Sequence, residues 1–109
     1  MTLTLPFARG QLVVVVLHSP RERLWGRLLG LEAPGLALRG LDVAAWEEVL
    51  SLVRKGLGDQ VSLSTRFLPM HRIESLYLDE RSSGVPSLSE VFLERTGMDP
   101  GAFLEGGTP

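Results

Sequence analysis

Leu24-Trp25-Gly26-Arg27-Leu28-Leu29-Gly30-Leu31-Glu32, then Ala33-Pro34-Gly35, then Leu36-Ala37-Leu38-Arg39-Gly40-Leu41, reads as two strands joined by a tight turn. In the first strand Leu24, Gly26 and Leu28 fall on one side, and Trp25, Arg27 and Leu29 on the other. In the second, Leu36, Leu38 and Gly40 alternate with Ala37, Arg39 and Leu41. Gly26 decides the reading. A glycine in mid-strand costs entropy and packs nothing, so its presence asks for a sharp bend or a close backbone approach. A small sheet that bends within its strands curls back on itself into a barrel.

Working outward, Gln11 to His18 is Val-rich and continuous, which predicts a strand covered on both faces, as in a closed barrel or at an interface. Ser19-Pro20-Arg21-Glu22 is a turn by composition. Downstream the period changes. Asp42 can cap a helix whose apolar positions Val43, Trp46, Val49, Leu50 and Val53 recur at three and four residues, with Arg54 and Lys55 in the last turn and Gly56 beyond it. This predicts an amphipathic helix over 43–55, lying on the barrel or against a neighbouring subunit, with Trp46 as a packing anchor.

After Leu57-Gly58-Asp59, the residues Val61, Leu63, Thr65 and Phe67 alternate with Ser62, Ser64, Arg66 and Leu68 as a half-buried strand. Pro69 cannot donate to a ladder, and Met70-His71-Arg72 is the length of one tight helical turn before Ile73 to Leu78 resumes extended. Arg81 to Pro86 reads as a linker, and Ser87 or Ser89 starts a short helix through Val91, Phe92 and Arg95, ended by Gly97. Pro100 to Leu104 is a further turn, Glu105 to Pro109 a frayed tail, and Met1 to Arg9 an extended arm or short loose helix. The expectation is a mainly β fold with helices: a five-stranded small barrel over 1–80 with the inserted helix, and a C-terminal helical appendage over 81–109.

At 109 residues and 44% hydrophobic, the chain can bury one core, yet it is small enough to gain from association. The all-apolar strand Leu12 to Leu17 and the helix stripe exceed what one small barrel covers, which predicts a homo-oligomer. The absence of Cys excludes disulfides, thiolate metal sites and a Cys nucleophile. With no Asn, one Ile, and one Lys against ten Arg, the composition is biased as in GC-rich genomes and thermophiles. No run reaches a membrane span and Met1 to Arg9 lacks the pattern of a signal peptide, so a cytoplasmic location away from membranes is expected. The net charge of -2 argues against a general nucleic-acid binder, although residues 1–41 carry five Arg against two Glu while residues 79–109 carry two Arg against six acids.

Nothing in the chain supports an enzyme. His18 and His71 have no second ligand at helical or turn spacing, so no metal site is expected. Glu47-Glu48 and Asp79-Glu80 are sequence neighbours that point apart, and read as solvated charges. Gly56-Leu57-Gly58 lacks the setting of a phosphate loop, and Ser62, Ser64 and Ser75 lack a nucleophile elbow, so neither a cofactor nor a catalytic residue is expected.

The stretch from Leu24 to Glu32 with its turn and Leu36-Ala37-Leu38 resembles the first motif of Sm-like proteins, in which a bending Gly, spaced apolar residues and an acid lead from the second strand to the third. Phe67-Leu68-Pro69-Met70-His71-Arg72-Ile73 is similar to the family's single turn between its fourth and fifth strands, and His71 two residues before Ile73 resembles the bacterial RNA chaperones of the Hfq type. The likeness covers about residues 11–41 and 61–78. It implies an SH3-like barrel that forms closed homo-oligomers through strand edges, with single-stranded RNA held by the second-to-third and fourth-to-fifth loops. Three features depart from the pattern: Ala33 to Leu36 offers no amide side chain, Met70 stands where the Hfq type has a basic residue, and the inserted helix replaces a short connection.

If the resemblance extends to binding, His71 stacks on a base, Arg72 contacts phosphate, and Gly35 lets the nucleic acid approach the turn. The competing reading is a self-assembling or protein-binding scaffold that docks partners on its edge strands and on the C-terminal helix face of Leu88, Val91 and Phe92. Charge placement separates the two. An RNA-binding ring gathers Arg72, Arg66 and Arg39 on one rim, whereas a scaffold pairs those arginines with acids and leaves an apolar groove elsewhere.

Overall fold

A computed structural model, describing residues 6–105, arranges the apolar runs as five antiparallel strands. They are β1 (Leu12–Leu17), β2 (Glu22–Glu32), β3 (Gly35–Asp42), β4 (Ser64–Pro69) and β5 (Ile73–Leu78), in the spatial order β4-β3-β2-β1-β5. Residues 1–5 of the expected arm and 106–109 of the expected tail lie outside the described residues. β4 and β5 do not pair, so the sheet is open where closure was expected. The reason lies at the corner: Pro69 ends one ladder, the tight turn Met70–Arg72 follows, and Ile73 starts pairing with β1 instead.

Gly26 answers to a close backbone approach. It stands directly opposite Gly40 in the β2–β3 ladder. A Cβ on Gly26 would lie 2.4 Å from the Arg39 carbonyl oxygen, and one on Gly40 would lie 2.1 Å from that of Trp25. The same ladder shifts register between Leu28 and Gly30, a bulge of the kind that bends a strand.

The continuous Val run of β1 is covered on both faces, as its sequence predicts. Val13, Val15 and Leu17 bury with Leu24, Leu28, Leu36, Leu38 and Leu68 on one side of the sheet. On the other, Val14, Trp25 and Leu41 bury beneath the helices. These are α1 (Trp46–Arg54), α2 (Leu88–Thr96) and α3 (Pro100–Glu105). The apolar surplus that predicts association is therefore consumed largely inside the chain. The alternation expected for β4 is also corrected: Leu68 is buried and Phe67 exposed, because Leu68 pairs with Leu36 and shares its face. Val61 and Leu63 precede β4 and pack on the helical side.

The expected helix over 43–55 forms as a tight turn, Val43–Ala45, running into α1, and the Asp42 side chain accepts from the Ala44 amide. Val49, Leu50 and Val53 face the core, while Trp46 meets Trp25 edge-on with centroids 5.1 Å apart. Between Ser87 and Ser89, the structure selects Ser87 as the cap of α2: its hydroxyl accepts from the Glu90 amide, and the Glu90 carboxylate accepts from the Ser87 amide. That backbone bond, with Arg81 beside it, holds Glu90 below the ordinary carboxylate value. The appendage folds back onto the sheet, burying Phe92, Phe103 and Leu104 against Trp25 and α1. Of the face of Leu88, Val91 and Phe92, Phe92 is thus buried by the chain itself, and Leu88 and Val91 are half-buried against the same cluster. Among the described residues no helix is long and apolar enough to cross a membrane.

Candidate interaction surface at the strand corner

The turn Met70–Arg72 is held from two sides. The Met70 amide donates to the Pro34 carbonyl at 2.9 Å, tying the corner to the β2–β3 turn, and the His18 amide donates to the Arg72 carbonyl at 3.0 Å, tying it to the β1–β2 turn. Gly35 pairs with Pro69 in the β3–β4 ladder and is buried there. His71 is exposed.

Arg72 points across the corner to the β1–β2 turn. Its Nε donates to the His18 carbonyl at 3.2 Å, and its Nη2 donates to the Pro20 carbonyl at 2.7 Å and to Glu22 Oε2 at 3.1 Å. Arg66 approaches the same carboxylate from β4, with Nη1 3.9 Å from Glu22 Oε1. Glu74, a sequence-proximal partner for Arg72, pairs instead with Arg21 at 3.1 Å. Two of the three arginines expected on one rim therefore converge, but on an acid. Arg39 lies on the other face of β3, where Nε donates to the Leu104 carbonyl at 3.0 Å and Nη1 to Thr65 Oγ1 at 3.3 Å, fastening α3 to the sheet.

An apolar groove of about 490 Å³ lies away from the corner, between the end of α1 and the α2–α3 turn. Val53, Val61, Leu63, Met98 and Phe103 line it, with Arg39 and Asp59 beside them. Among the described residues no three His, Asp or Glu side chains gather to hold a metal ion.

Two of the acids read as solvated charges, Asp79 and Glu47, have structural partners. Asp79 accepts from the Trp25 indole Nε1 at 2.9 Å, from the Leu88 and Ser89 amides at 2.9 and 2.8 Å, and from the Ser89 hydroxyl. Glu47 accepts two bonds from Arg95, at 2.9 and 2.8 Å. This pairing holds Glu47 below the ordinary carboxylate value and raises Arg95. Local sequence carries no signal for these partners, because Asp79 and Trp25 are 54 residues apart and Glu22 and Arg72 are 50 apart.

The corner geometry separates its two adjacent residues. Arg72→Ala removes three hydrogen bonds and leaves two turn carbonyls and Glu22 without their donor, so urea unfolding shows a loss of about 1–3 kcal/mol. His71→Ala changes stability by no more than about 0.5 kcal/mol.

No family model, curated protein or solved structure matches this chain.

Proposed function

We propose that this chain is a non-enzymatic module of the Sm-like, SH3-like type, with its five-stranded sheet left open, that works through protein contacts made at its sheet edges, and that it does not bind RNA. Two features support the Sm-like part: the strand order β4-β3-β2-β1-β5, and the one-turn passage from β4 to β5 through Met70–Arg72. The observation that carries the functional part is the single carboxylate of Glu22, which meets both Arg66 and Arg72. A phosphate approaching this corner has to compete with an acid already in place and with turn carbonyls that already take Arg72's donors. His71 is exposed there, and one imidazole makes a poor nucleic-acid site when the arginines beside it are already engaged by acids and carbonyls.

Light scattering after size exclusion, run at low salt with and without single-stranded RNA, tests this reading. The expected result is one elution profile in both cases. A mass increase with RNA that disappears in His71→Ala establishes the RNA-binding reading in its place.

A further inference from the structure

We draw no further inference here: the strongest candidate, the apolar groove of about 490 Å³ between the end of α1 and the α2–α3 turn, carries nothing, because Arg39 and Asp59 bring opposite charges to its wall and nothing in the structure shows what covers it.

Discussion

Valine at Gly26 or at Gly40 unfolds the chain. The two glycines face each other across β2 and β3, and a Cβ on either would lie within 2.4 Å of a backbone carbonyl oxygen of the opposite strand. The obstacle is main chain on both sides, which no rotamer change relieves. Separating the strands to make room breaks the ladder that connects Trp25, Leu28, Leu38 and Leu41, residues that serve both cores. The expected loss is about 4 kcal/mol or more, against a total of roughly 5–15 kcal/mol for a domain of this size. Gly26→Ala carries the same contact and is expected to be nearly as damaging. Gly30→Ala is the control: it lies in the same strand with nothing within 4 Å of a new Cβ, and its thermal midpoint stays close to the parent's. A soluble Gly26→Val variant with the parent's unfolding curve refutes the account.

Asp79→Ala loosens the helical layer from the sheet. The carboxylate serves the Trp25 indole and the first turn of α2 together, so its loss leaves a buried N–H without an acceptor and frees the Leu88 and Ser89 amides, while the Ser87 cap remains. An orphaned buried donor costs about 1–3 kcal/mol and the lost bonds to the two first-turn amides about 1 kcal/mol, giving an expected loss of roughly 3 kcal/mol in urea unfolding. Asp79→Asn keeps one acceptor oxygen and falls between the parent and the alanine variant. The optical signature is specific. Trp25 is fully buried and packs on Phe92 of α2, so its emission shifts to the red when α2 lifts. An unshifted emission together with an unchanged midpoint means that Asp79 does not fasten α2 to the sheet.

Legibility from sequence followed the range of each interaction. The alternation of Leu24, Gly26 and Leu28 against Trp25 and Arg27 appears in the structure, because side-chain direction in a strand is set by its immediate neighbours. The helix was equally plain, since Asp42, the apolar stripe and Gly56 are local signals for one segment. In β4 the same logic misled. An open edge strand between two apolar layers has no single polar face, and Phe67 and Leu68 are equally good core residues until β3 fixes which of them meets Leu36.

The surface chemistry was the least legible part. From sequence, Arg66 and Arg72 were candidate phosphate ligands, and the acid at position 22 belonged to a distant turn. Folding brings Glu22 to both, so the two arginines meet on one acid. Local pattern was enough for the strands, the inserted helix, the capped α2 and the glycine that demanded a close approach, because each follows from the covalent geometry and solvation of neighbouring residues. Three outcomes came from long-range contacts alone: the sheet stays open, α2 and α3 cover the second apolar face, and the corner arginines are spent on Glu22 and the turn carbonyls. Those outcomes depend on groups some 50 residues apart in the chain, and charge and burial act through distance in space, which the order of residues along a segment does not carry.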